Sequence, residues 1–362
     1  MREFKIRQVG FFFLAFLPVT KIFYLPSIYA RFAGSDMWLG TVINFALDML
    51  TFIAVLMLWK KHRGKGLYEI LENGLGKVFA KIIFAVYAVY FILKAYIPFV
   101  EQKNFIEYAL YENTADIFIF MPVFGLGAYL AVKKASVLGR IADLIAVITV
   151  LGLVLLIGLA MQGADFGYLL PFGVNGAGNI FRSSYYALPW FGDAVFFMFF
   201  MGDVIPEKNY VLKTILPYIF AALFVILFMM LFFVTFSSIA VRQSFALTEI
   251  SKYSTVIYNI GRFDYIGIFC ILLAGSVALC LPLYFATYCV TRIFGLTLRY
   301  IPAIIINFGM AVFVYATAKS FSGIQNFIQL YLGGFMLFAS NVLPALFLII
   351  GRGKDEKKAL AG

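Results

Sequence analysis

Long apolar runs follow one another along the whole chain, and polar residues collect in the short stretches between them. Read in order, the runs predict ten membrane spans: about 8–30, 37–59, 78–100, 117–132, 141–161, 185–201, 211–240, 263–290, 301–318 and 327–350. A helix crosses a bilayer with about 20 apolar residues at a rise of about 1.5 Å each. The stretch 60–77, with Tyr68-Glu69-Ile70-Leu71-Glu72, reads equally as a short helix along the membrane surface or as a solvated connector. Glu101, Glu107, Glu112 and Asp116 predict an acidic connector after the third span, and Arg242–Arg262 a polar one after the seventh.

Two of the runs are interrupted. The first holds Pro18, Lys21 and Pro26, and the sixth opens with Leu188-Pro189-Trp190-Phe191-Gly192-Asp193. Proline removes a backbone donor and clashes with the preceding turn, so a helix breaks there. A lysine at mid-span costs about 3 kcal/mol unless it faces a partner or a cavity. Broken backbone at membrane depth is tolerated only inside protein or against water. Both breaks are therefore expected at a site rather than against lipid. Lys21 and Asp193 could face each other across it, with a buried structural ion pair as the plainer alternative. Five spans followed by five, broken in the first and the sixth, describe an inverted repeat. The expected organisation is a single transmembrane domain over 1–362, with a first repeat at 8–161, a second at 185–350 and a short tail at 351–362.

Composition narrows the class. The 362 residues are 63% hydrophobic and 13% charged, which fits a polytopic helical membrane protein. The net charge of +11 does not point to nucleic acid, because the basic residues are scattered over loops and suit anionic membrane lipid. Of the 29 Lys and Arg, Lys21 and Lys94 lie within spans, 20 fall on one side of the ten-span arrangement and seven on the other. That bias places both termini in the cytoplasm. Cys270, Cys280 and Cys289 share one predicted helix at spacings too long for a disulfide. With one histidine, His62, a zinc site is not expected. The glycine-rich loop 173–179 lacks the Lys-Ser/Thr of a phosphate loop and reads as a lid-like connector. No cofactor is expected, and no catalytic constellation is present in the pattern.

An amino acid would suit the two breaks. Its carboxylate needs free N–H groups or a cation, and its ammonium needs carbonyls, a carboxylate or an aromatic face. Thr20, Lys21, Ile22 and Phe23 offer the first set; Trp190, Phe191, Gly192 and Asp193 offer the second. Ser276, beside Gly275 in the eighth span, either approaches the first break or simply packs.

The chain also resembles a known family. Ile6-Arg7-Gln8 before a broken span, Leu25-Pro26 at its far end, Leu170-Pro171-Phe172-Gly173-Val174-Asn175-Gly176, Asp264-Tyr265-Ile266 through Leu283-Tyr284-Phe285-Ala286-Thr287, and Ile293-Phe294-Gly295-Leu296 are similar to the endospore germination permeases. These are the B subunits of nutrient germinant receptors, within the amino acid–polyamine–organocation superfamily. The resemblance implies a LeuT-like all-α fold and a subunit that senses a small nutrient, often an amino acid. It implies A and C partner subunits and the spore inner membrane; the leading reading for this chain puts the nutrient between the first, third, sixth and eighth spans. One departure stands out: Val19-Thr20-Lys21 occupies the place of a glycine-rich first break, leaving less room for a ligand and letting Lys21 mimic a bound cation. Two other functions stay open, a secondary amino acid transporter coupled to protons through Asp193 or Lys21, and a scaffold whose site Lys21 plugs.

Overall fold

The computed structural model describes residues 4–109, 116–243, 245–252 and 264–350. Glu112, most of the expected 242–262 connector and the 351–362 tail lie outside the described residues.

Proline sets the first break. Helix α1, Ile6–Phe16, begins with the Lys5 N–H donating to Gln8 Oε1 at 3.0 Å. Gln8 Nε2 in turn donates to Asp143 Oδ2 at 2.6 Å. Pro18 offers no N–H, so the chain makes one 3₁₀ turn at Val19–Lys21. It restarts as α2, Leu25–Ala33, with Pro26 in the first turn, where a missing N–H costs nothing. Gly34 then reverses the chain at φ +50°, and α3, Met37–Lys61, runs back along α2. Asn44 Nδ2 of α3 donates to the Tyr29 hydroxyl of α2 at 2.6 Å.

The stretch 60–77 does contain a helix, α4 at Leu67–Leu75, which buries Leu67, Tyr68, Ile70 and Leu71. Helix α5, Lys77–Ala109, corrects the expected end of the third span. It continues through Pro98 because Phe99, Val100 and Phe105 still have a core to enter. Glu101 and Glu107 are thus helical, and Glu101 is buried rather than part of a connector. Helices α6, Asp116–Ala131, and α7, Ala135–Ala160, follow.

The sixth segment starts earlier than expected. Gly176, at φ +76°, precedes α8, Ala177–Ala187. Pro189 sits in a 3₁₀ turn, Leu188–Trp190. Phe191 and Gly192 leave helical geometry, and the chain resumes as α9, Val195–Phe200. The remaining helices among the described residues are α10, Tyr210–Phe236; α11, Ala246–Lys252; α12, Asp264–Phe294; α13, Tyr300–Ala316; α14, Phe321–Tyr331; α15, Gly333–Leu337; and α16, Leu343–Ile350. A π turn, Phe338–Val342, joins the last two.

Among the described residues, five stretches are long and apolar enough to cross a membrane: Leu25–Lys61, Lys77–Glu107, Ala135–Met161, Tyr210–Arg242 and Asp264–Phe294. The other expected crossings are built from shorter pieces. Helix α13 and the segment after it bend by 62°, and the final run is interrupted by the π turn. Helix α12 lies along α5, α6 and α7, while α1 packs on α7 and α10 and α2 packs on α8. Gly10 allows the approach of α1 to α10: a Cβ there would overlap the Lys213 carbonyl and lie 2.9 Å from Pro217 Cγ.

Both ends of the broken pair are tied down. Beside the chain start, strand β1, Phe4–Lys5, pairs in parallel with β2, Val204–Ile205. Phe4 stacks on Phe200 at 5.0 Å. Next to β2, burial pushes the Asp203 carboxyl above the usual carboxylate range, against the pull of Arg299 and Arg292. At the opposite end, buried Asp36 accepts from the N–H of Gly173 at 2.7 Å, the N–H of Asn175 at 3.0 Å and Asn175 Nδ2 at 3.1 Å. The 171–176 loop is therefore pinned through one carboxylate. Asp36→Ala leaves those donors without it and is expected to cost about 1–3 kcal/mol. Faster hydrogen exchange confined to 171–176 is the measurement that checks it; unchanged exchange there would mean the loop is held by other contacts.

Candidate functional site

The two breaks meet at a set of buried charges. Lys21, fully buried in the first break, donates to the Leu17 carbonyl at 3.0 Å and to Asp193 Oδ2. Leu17 lies just before Pro18, so its carbonyl sits where the helix gives out. Asp193 Oδ1 takes a second ammonium, Lys94 Nζ, at 3.0 Å. Lys94 comes from the middle of α5 and also donates to the Phe191 carbonyl. The Asp193 N–H, exposed by the second break, donates to Asp48 Oδ2 of α3 at 3.2 Å. Two ammonium groups and two carboxyl groups thus hold four segments together with formal charge balance.

Aromatic faces complete the surroundings of both cations. The Phe191 ring centroid lies 5.1 Å from Lys21 Nζ, and that of Phe196 lies 5.7 Å from Lys94 Nζ. Such contacts add most where water is excluded. Gly192 has φ +82°, a conformation that side chains resist. Its carbonyl accepts from the Tyr90 hydroxyl at 3.3 Å. The π turn packs against it: a Cβ on Gly192 would lie 2.6 Å from Ser340 Cβ. Thr51 Oγ1 holds that turn by donating to Asn341 Oδ1 at 2.7 Å.

A cavity of about 30 Å³ adjoins the charges, lined among others by Phe12, Thr20, Lys94, Trp190, Asp193 and Pro282. That is room for one or two waters. Below it, Phe196 stacks on Phe91 at 5.7 Å and on Phe285 at 5.1 Å. Trp190 closes another side and donates its Nε1 to Glu101 Oε2 at 3.1 Å. Glu101 Oε1 takes no hydrogen-bond partner among the described residues.

The expected site residues divide. Thr20, Trp190 and Asp193 line the cavity, and Lys21, Phe191 and Gly192 stand directly behind it in the ionic cluster. Ile22 is buried in the core. Phe23 turns to Phe105, with centroids 5.0 Å apart, and its carbonyl accepts from the Ala246 N–H at 3.0 Å. Ser276 is not brought to the cavity; its hydroxyl donates to the Leu272 carbonyl of its own helix at 2.9 Å. It is Gly275 that makes a close approach, to the Gln102 side chain. Four residues were not anticipated as part of the cluster: Asp48, Tyr90, Lys94 and Glu101. Tyr90, Lys94 and Glu101 stand four and then seven residues apart, on one face of α5, so helical spacing carried a signal for them.

The family model described as spore germination protein matches residues 5–322. Spore germination protein A2 of Bacillus subtilis (strain 168) is 24% identical over 179 residues, covering 49% of this chain. The match spans about half of that relative, 48% of its length. Among solved structures, the crystal structure of MhsT in complex with L-phenylalanine superposes with a TM-score of 0.61 at 11% identity. It covers 97% of this chain and 99% of that one. At that identity the likeness concerns the fold, which is that of the LeuT-like transporters.

Proposed function

The chain belongs to the spore germination protein family, a permease family rather than an enzyme family, and from that premise we propose that it is the transporter-like membrane subunit of a spore nutrient germinant receptor. It senses a small zwitterionic nutrient, an amino acid, at the cavity between the two breaks. It is multi-pass in the spore inner membrane, with both termini cytoplasmic, and it works with the receptor's A and C subunits.

One observation carries the choice of ligand. The Lys94–Asp193 pair borders the cavity with opposite charges 3.0 Å apart. A neutral solute inserted there would leave Lys94 without its counter-charge, since Asp193 keeps only Lys21, and an ion would leave the cluster with a net charge. A zwitterion gives each a partner, carboxylate to Lys94 and ammonium to Asp193, and leaves the net charge unchanged. The L-phenylalanine in the MhsT structure supports the same class of ligand. The cavity of about 30 Å³ is too small for any amino acid as it stands, so entry requires the broken segments to part. Binding then shifts the balance between two arrangements of the breaks, which partner subunits read as a signal.

The test is the thermal midpoint of the purified protein against amino acids, sugars and inorganic ions. A ligand at one hundred times its dissociation constant stabilises the folded state by about 2.7 kcal/mol. At least one amino acid is expected to raise the native midpoint, and Lys94→Met to abolish that rise. A rise with sugars alone, or one undiminished in Lys94→Met, would overturn the assignment.

A further inference from the structure

The native site already contains a cation. Lys21 Nζ has a carbonyl from the first break, a carboxylate from the second and the face of Phe191. Carbonyls of unwound helices coordinate free cations between broken helices, and here the Asp193 carboxylate stands beside such a carbonyl. Here the ammonium reaches them on a covalent stem from the same break. Its 0% exposure leaves no path for exchange with bulk ions in this arrangement. Asp193 also divides the space. Its Oδ1 faces Lys94, which lines the cavity, and its Oδ2 faces Lys21, which does not. The two ammonium positions are therefore distinct: one adjoins the cavity and the other is sealed behind Asp193.

We propose that Lys21 is a tethered occupant of a monovalent-cation site, so that the native chain takes no free cation there, and that Lys21→Ala uncovers a site for small primary alkylammonium ions. Cutting the side chain to Ala removes the atoms from Cγ to Nζ, which correspond to n-propylammonium. The variant keeps the Leu17 carbonyl, Asp193 Oδ2 and the Phe191 ring, all pointed at the vacated position. A primary ammonium has the N–H donors to satisfy both oxygens; tetramethylammonium has none. A tethered cation also removes any need for an ion gradient to join the two breaks. This proposal goes beyond nutrient sensing and holds whether or not the cavity takes an amino acid.

The experiment compares thermal midpoints of native protein and Lys21→Ala with n-propylammonium, tetramethylammonium and sodium chlorides at constant ionic strength. Lys21→Ala is expected to unfold at lower temperature and to recover by a saturable upward shift with n-propylammonium only. The native midpoint is expected to show no saturable response to any of the three. If the variant does not accumulate, it is expressed and extracted with n-propylammonium or tetramethylammonium present. Recovery of folded protein by the first salt alone supports the proposal. Recovery by neither, an equal shift in native and variant protein, or saturable sodium binding by the native chain that n-propylammonium displaces would overturn it.

Discussion

Asp193→Asn is expected to be the most damaging single substitution in the chain. The carboxylate is shared by two buried ammonium groups, and its loss leaves both without their counter-charge. Breaking a buried pair from one side costs about 3–5 kcal/mol, because the remaining charge stays desolvated. Here two charges remain, while the whole stability of a typical protein is about 5–15 kcal/mol. Folded yield and the thermal midpoint should both fall sharply. Adding Lys21→Met to Asp193→Asn removes one stranded cation and is expected to return part of the loss. A double-mutant cycle isolates that coupling, since Lys21 and Asp193 are in direct contact. If Asp193→Asn matches the native midpoint, or if the two substitutions simply add, the ion pair does not hold the breaks together.

The second large effect is expected at Gly192, for a different reason. Nothing electrostatic changes in Gly192→Ala. The residue stands at φ +82°, and a Cβ would overlap the Tyr90 hydroxyl and crowd Ser340. Left-handed backbone outside glycine costs about 1–3 kcal/mol before any overlap is counted. Relief requires Tyr90 to release the Gly192 carbonyl or the π turn to withdraw, and either movement unseats Asp193 next door. Gly192→Ala is therefore expected to lower the midpoint and to weaken any amino acid response. Gly178→Ala is the control, because a Cβ in that helix meets nothing within 4 Å. It is expected to stay within about 0.5 kcal/mol of the native protein. Equal midpoints for the two variants would remove the special backbone geometry from the account.

The breaks were legible because they have local causes. Pro18 and Pro189 remove backbone donors wherever they stand, and a lysine and an aspartate inside apolar runs need partners. Nothing in the periodicity of either run, however, says which carboxylate meets which ammonium. With the third span expected at 78–100, Lys94 falls toward its end. The helix continues through Pro98 since the residues beyond it are buried, and that puts Lys94 at mid-helix opposite Asp193. Glu101, expected in an acidic connector, is instead buried in the continued helix and accepts from Trp190. Ser276 illustrates the opposite limit: a small polar residue in the right helix satisfies itself on the preceding turn. The π turn left no trace in composition, and its contact with Gly192 is a product of packing between distant segments.

The central claim is that the chain binds a zwitterionic nutrient at the joined breaks and signals its presence without carrying it across the membrane. The direct measurement is retention of a labelled amino acid by the protein in sealed proteoliposomes of two different internal volumes. The ligand used is whichever amino acid raises the thermal midpoint. The account predicts that retained label saturates in proportion to protein and is the same at both volumes. Label that accumulates with time and scales with internal volume would mean transport, and no retained label at all would mean that the site does not take the nutrient.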